Sequence, residues 1–185
     1  MTYGKKIIAI EGIDASGKSK QSRLLKRYLA GRGINARIIS HKNIRSLLEF
    51  PFLKDEWIIA DRYLQTLTVY FTYVKKQKSI SDMLLKYMPR PLCTIYLDIP
   101  VEESVRRLAK RNKPLEKYED EDSLRLFSKG FQQYHRENHE KVYVVNAMQS
   151  RNAIHRDICE IVERILWEEE KRVRKYRYYR HHSGA

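Results

Sequence analysis

Short apolar runs alternate along this chain with longer stretches in which apolar residues recur every three or four positions. Five runs have the length and bounds of buried strands: Lys6 to Ile10, Ala36 to Ser40, Trp57 to Ala60, Leu92 to Asp98 and Val142 to Val145. Helical spacing fills the intervals. Lys18 to about Ala30 carries Leu24, Leu25, Tyr28 and Leu29 on one face, and Gly31 and Gly33 supply the stop. A short helical piece is predicted over Ile44 to Phe50, ending at Pro51. Leu64 to Met88 reads as helix with a break near Ser79 to Ser81. Pro100 opens a helix striped by Val101, Val105 and Leu108. Leu124, Phe127, Phe131 and Tyr134 stripe another, and Ile154, Ile158, Ile161, Val162 and Ile165 the last.

Strands alternating with helices imply right-handed crossovers and an α/β fold: a five-stranded parallel sheet with helices on both faces. Ligands on such sheets bind beyond the carboxyl ends of the strands. That edge should collect the loop after Ile10, Asp61-Arg62-Tyr63, Asp98 and Asn146-Ala147.

At 185 residues, without repeats or low-complexity linkers, the chain is expected to form one domain over residues 1–167, followed by a basic Tyr/Arg-rich tail over 168–185. Lysine and arginine outnumber acidic residues 37 to 23, a formal charge of +14 that favours anionic partners without choosing among them. No apolar stretch approaches the ~20 residues that span a bilayer, and no secretory leader pattern is seen, so a cytoplasmic protein is expected. Cys93 and Cys159 lie in apolar patterns and read as small buried hydrophobes, with no disulfide or metal role.

Chemistry enters with Gly12-Ile13-Asp14-Ala15-Ser16-Gly17-Lys18-Ser19, which fits G-x-x-x-x-G-K-[ST] between a strand and a helix. The two glycines let the backbone curl so that successive N–H groups point at phosphate oxygens, reinforced by the helix N-terminus. Lys18 is expected to reach the β and γ phosphates and the Ser19 hydroxyl to ligate Mg²⁺. Asp61, at the end of a buried strand beside this loop, is a second candidate for Mg²⁺, and Arg62 for an anionic acceptor. The basic stretch 106–118 offers Arg107, Lys110, Arg111, Lys113 and Lys117 as cations to close over a transferring phosphoryl group.

Together these segments resemble the thymidylate kinase family. The resemblance rests on Glu11-Gly12-Ile13-Asp14 leading into Gly17-Lys18-Ser19 and Gln21, and on Asp61-Arg62-Tyr63 with Tyr70 seven residues past Tyr63. Leu97-Asp98-Ile99-Pro100 with Glu102 and Glu103, Arg107 and Arg111, Tyr118-Glu119 and Tyr134 complete it. It implies a three-layer P-loop kinase fold, transfer of the γ-phosphoryl of ATP to dTMP with Mg²⁺, and a homodimer. By the same resemblance the loop from Gly12 to Lys20, including Ala15 and Ser16, contacts the ATP phosphates, and Ala147 borders adenine. Asp14 lies near the acceptor sugar, Arg62 grips the acceptor phosphate, and Tyr63, Thr66 and Tyr70 line the nucleoside pocket. Ala15 stands where some members carry a catalytic arginine, which transfers that role to Arg107 and Arg111 in the lid.

The departures lie on the acceptor side. The family's Arg-Glu-Pro-Gly stretch is replaced by Ser40-His41-Lys42-Asn43, and about sixteen residues separate the second strand from the third, too few for the usual base-reading helix. Arg45 is the candidate for a replaced phosphate contact and Phe50 or Phe52 for the stacking ring. Phe71 stands where a glutamine is common. The donor half is therefore intact, while acceptor identity stays open between a nucleoside monophosphate and a deoxynucleoside or other small molecule. A further alternative is an ATP-dependent nucleic-acid-binding protein using the arginine and tyrosine residues of Lys171 to Arg180, although a solvated extension of the last helix is the preferred reading of that tail.

Overall fold

The computed structural model describes residues 6–40, 57–138 and 141–182, with side chains through residue 174. Five parallel strands form one sheet in the order β2-β3-β1-β4-β5: β1 (Lys6–Glu11), β2 (Ala36–Ser40), β3 (Trp57–Asp61), β4 (Cys93–Asp98) and β5 (Val142–Asn146). The helices are α1 (Lys18–Gly31), α2 (Leu64–Val69), α3 (Lys78–Tyr87), α4 (Val101–Ala109), α5 (Glu121–Glu137) and α6 (Arg151–His182). All five predicted strands are present, and the three-layer α/β fold is confirmed. The helix expected at Ile44 to Phe50, with Arg45, Phe50 and Phe52, falls outside the described residues.

Alternation along β1 divides its side chains between the two faces of the sheet. Ile7 and Ala9 pack with Ile58, Ala60 and Leu64, while Ile8 and Ile10 join Leu25, Leu29 and Ile158 in the larger cluster. Along the central strands β1, β3 and β4 both faces are buried, which is why these read as continuous apolar runs and not as alternating ones.

The stretch after β3 corrects one expectation. Its break lies at Lys75 to Gln77, not at Ser79 to Ser81. Helix α2 widens at its end into a π-helical turn, Tyr70–Val74, in which the Lys75 N–H donates to the Tyr70 carbonyl at 2.9 Å. Lys76 then turns left-handed, with φ 53°, and the serines sit at the start of α3, where they are well tolerated. Gly130 of α5 lies so close to this element that a Cβ there would come within 2.5 Å of Val69 Cγ1. The π-turn and α5 are thus packed backbone to side chain.

Helix α6 runs unbroken through the boundary at residues 167 and 168 that composition marks. Its early turns are tied to α1: the Tyr28 hydroxyl donates to Glu163, which also accepts from Arg32 at 2.9 Å. Among the described residues no helix is long and apolar enough to cross a membrane. Cys93 is buried and Cys159 half-buried, both as free thiols.

Candidate active site

Strand register brings the predicted chemistry to one edge. Ile10 pairs with Asp61, Glu11 with Tyr96, and Asp98 with Asn146, so β1, β3, β4 and β5 end side by side. From β1 the chain enters the phosphate loop, where Gly12 has φ 137° and a Cβ would meet the Leu97 carbonyl oxygen at 2.6 Å. Only glycine fits against β4 there. Gly17, with φ 101°, precedes α1, and no side chain caps that helix. The N–H groups of Lys20 and Gln21 donate to the Gly17 carbonyl at 3.0 Å, whereas those of Lys18 and Ser19 precede the first helical hydrogen bond, which suits them to an anion.

Lys18 is buried, 6% exposed, and its ammonium donates to the Ile13 carbonyl at 2.6 Å. Burial, helped by the positive charge of Arg62, pulls its pKa from the ordinary lysine range down to about 7. A bound phosphate stabilises the ammonium and raises that pKa again. Nucleotide binding near pH 8 is therefore expected to take up a proton, and ATP affinity to fall as pH rises above 7. Calorimetric titrations in buffers of different ionisation enthalpy read this directly; binding at pH 8 without proton uptake would contradict it.

Arg62 sits in the left-handed region, φ 70°, a conformation that costs a non-glycine residue of order 1–3 kcal/mol. Its N–H donates to the Ile10 carbonyl at 3.0 Å, and its guanidinium donates to the Gly12 carbonyl at 3.2 Å and to the Asp14 carboxylate. Beside it a cavity of about 430 Å³ opens, floored by Asp14, Arg62 and Thr66 and walled by the rings of Tyr70, Phe71, Tyr118 and Phe127. Three of the predicted acceptor residues besides Arg62, namely Asp14, Thr66 and Tyr70, therefore meet at one cavity. Tyr63 does not line it. Its ring is wholly buried among Ile7, Ile58 and Leu64, and its hydroxyl donates to the Pro89 carbonyl at 3.0 Å.

The predicted lid arginines are both engaged. Arg107 donates to Glu103 at 2.6 Å, to the Ala15 carbonyl at 3.3 Å and to the Ala147 carbonyl at 2.8 Å. It thereby ties the phosphate loop to the loop after β5. Hydrogen bonds from Arg106 and Arg107 hold the Glu103 carboxyl at about 2, well below the usual carboxylate range. Arg111 forks onto Glu119, whose carboxylate also accepts the Glu116 N–H at 2.7 Å. This pair anchors the connection that places Glu116 to Glu119 against the cavity.

The side chains that could hold Mg²⁺ are the exposed Ser19 hydroxyl and the Asp61 carboxylate, which is 7% exposed and has no hydrogen-bonding or ion-pair partner among the described residues. Such hard oxygen donors fit an ion that takes one or two protein ligands and completes its shell with phosphate and water. No cluster of three acidic, His or Cys side chains able to hold a metal occurs among the described residues.

Glu11 was not singled out from the sequence as a site residue. It is fully buried and accepts the Tyr63 N–H at 2.8 Å, the Thr66 N–H at 3.2 Å and the Thr66 hydroxyl. Its signal was an acid closing an otherwise apolar strand.

A phosphate loop at the first strand of a parallel sheet, with an arginine-floored cavity next to it, defines a P-loop nucleotide kinase. A sequence model of the thymidylate kinase family matches residues 39–158. The probable thymidylate kinase 1 of Saccharolobus solfataricus is 26% identical over 193 residues, covering 88% of this chain and all of that protein. The probable thymidylate kinase of Sulfolobus acidocaldarius is 28% identical over 192 residues, covering 86% and 97%. Among solved structures, the deoxyadenosine kinase from M. mycoides with the products dCMP and a flexible dCDP bound superposes with a TM-score of 0.66. At 16% identity, over 85% of this chain and 98% of that one, it shares the fold. The chain belongs to the thymidylate kinase family. It is a nucleoside monophosphate kinase.

Proposed function

We propose that the chain transfers the γ-phosphoryl group of ATP to dTMP, giving ADP and dTDP, in the cytoplasm and as a homodimer of the kind the family resemblance implies. The observation that carries the acceptor assignment is the buried Arg62 guanidinium at the floor of an aromatic-walled cavity beside the phosphate loop. A phosphate on the acceptor gives that guanidinium a bidentate partner, and the rings suit a flat base.

In this reading an acceptor phosphate oxygen attacks the γ-phosphorus as the bond to the β,γ-bridging oxygen breaks. The attacking oxygen is anionic near neutral pH, so no general base is required. Lys18 and the N–H groups from Ser16 to Ser19 hold the donor phosphates, with Gly12, Ala15 and Lys20 shaping the loop. Arg62 and Asp14 hold the acceptor, with Thr66 and Tyr70 along the nucleoside. Ser19 and Asp61 would hold Mg²⁺, which would neutralise charge on the phosphate oxygens. Arg107 fixes the loops on which the donor lies, with Ala147 beside the adenine, and Arg111 holds the connection that roofs the acceptor.

The test is a panel of deoxy- and ribonucleoside monophosphates and unphosphorylated nucleosides, each with Mg-ATP. The expected result is dTDP formation from dTMP at the highest kcat/KM. Faster turnover of another monophosphate would overturn the base assignment. Turnover of nucleosides alone would overturn the acceptor class.

A further inference from the structure

The geometry points to Glu11 as the residue that positions Arg62 for the acceptor phosphate, capping α2 from a strand remote in sequence; this rests on the acceptor role given to Arg62 above. Helix α2 begins without a local cap. Its N-cap residue, Tyr63, makes no side-chain cap hydrogen bond, and its first turn holds no acidic residue. A helix start normally satisfies its third N–H from the N-cap side chain. Here that N–H belongs to Thr66 and is taken by Glu11, as is the N–H of Tyr63 itself.

Tyr63 immediately follows Arg62. The strained Arg62 backbone is therefore clamped on both sides by the end of β1: its own N–H by the Ile10 carbonyl, the next N–H by the Glu11 carboxylate. The guanidinium is steered by the two residues beyond, the Gly12 carbonyl and the Asp14 carboxylate. Four successive contacts from one strand and its loop over-determine a conformation that the residue would not adopt alone. Glu11 contributes in two ways. It supplies an acceptor matched to three converging donors, and it places a negative charge where Arg62 lies close enough to counter the effect of burial on its carboxyl. Burial raises that carboxyl above the usual carboxylate range, and the three donors and the Arg62 charge act against that rise.

A fully buried glutamate can be kept for the fold alone, and the experiment separates that role from positioning. Glu11→Gln preserves shape and one carbonyl oxygen for the two N–H groups but removes the charge. The monophosphate turned over fastest in the panel serves as probe, with binding followed by calorimetry so that inactive variants remain measurable. Glu11→Gln is expected to weaken monophosphate binding by about 10-fold, a change of about 1.4 kcal/mol, with ATP binding unchanged. In an Arg62→Ala background the same substitution is expected to change monophosphate binding less than 2-fold, because the group it positions is gone. Equal losses with and without Arg62, or a fall in melting temperature with acceptor binding unaltered, would overturn the assignment. If Glu11→Gln fails to fold, Thr66→Val, which removes one of the three donors, is expected to weaken monophosphate binding 2- to 3-fold through the same coupling; no coupling to Arg62 there would equally refute it. Absence of monophosphate turnover by the unsubstituted enzyme is a different result, and counts against the kinase assignment of the cavity and not against the clamp.

Discussion

Lys18→Met is expected to lower turnover by roughly 10²- to 10³-fold, the scale of losing one preorganised charge at a transferring group, while raising the stability of the nucleotide-free protein. The two effects have one origin. Lys18 is buried beside Arg62, and burial brings its pKa down to about 7. A lysine whose folded-state pKa lies below its unfolded value binds fewer protons when folded. Stability then rises with pH between about 7 and the ordinary lysine range near 10.5. Below pH 7 both states are protonated and the cost of the buried charge is felt in full. Methionine fills similar volume without the charge, so the gain in melting temperature is expected to be larger at pH 6 than at pH 9. Thermal melts at the two pH values, beside steady-state rates, check this. A variant that lost activity through misfolding would show lowered melting temperatures at both. The result would mean that the phosphate loop holds its lysine at a cost that bound phosphate relieves, with the Ile13 carbonyl as the partner given up on binding.

The sequence carried most of this fold because each strand is an apolar run bounded by polar residues. Ala36–Ser40 was legible to its ends, and Trp57–Asp61 to within one residue. The phosphate loop was legible because a motif of fixed residue types serves a backbone geometry, visible in Gly12 and Gly17 with φ 137° and 101°. Where contacts are made by main-chain carbonyls, residue type is silent. Arg107 read as a mobile lid cation, since nothing in its sequence context shows that the acceptors facing it are the carbonyls of Ala15 and Ala147. The π-turn at Tyr70–Val74 was hidden for a similar reason: a shift from i+4 to i+5 bonding leaves the apolar stripe almost unchanged. Its polar end, Lys75-Lys76-Gln77, was a usable signal, outweighed by serines that belong to a helix start. Phe127 read as a stripe residue of α5 and lines the cavity. Glu11 shows the limit most clearly. Its donors lie 52 and 55 residues away, and only the pairing of β1 with β3 brings them to it.

Arg62→Ala is expected to raise the KM for the acceptor monophosphate about 100-fold, with a small effect on the KM for ATP. A guanidinium fork on a phosphate makes two charge-assisted hydrogen bonds, worth together about 3 kcal/mol in a buried site, and each 1.4 kcal/mol is a factor of ten. Arg62→Lys is expected to recover little of this, because a point charge cannot form the fork and its shorter reach leaves the Gly12 carbonyl unserved. The backbone adds a second, independent signature. With φ 70°, alanine at this position keeps the left-handed strain and loses the side chain that helps hold it, whereas glycine adopts the same φ freely. Arg62→Gly should therefore share the acceptor defect of Arg62→Ala yet be more stable by about 1 kcal/mol, seen in denaturant melts as a higher midpoint. Equal stabilities would mean that the left-handed turn at Arg62 relaxes once its side chain is removed. A KM for the monophosphate unchanged in both variants would mean that the phosphate of the acceptor lies elsewhere in the cavity, with Arg62 serving to orient Asp14 toward the nucleoside.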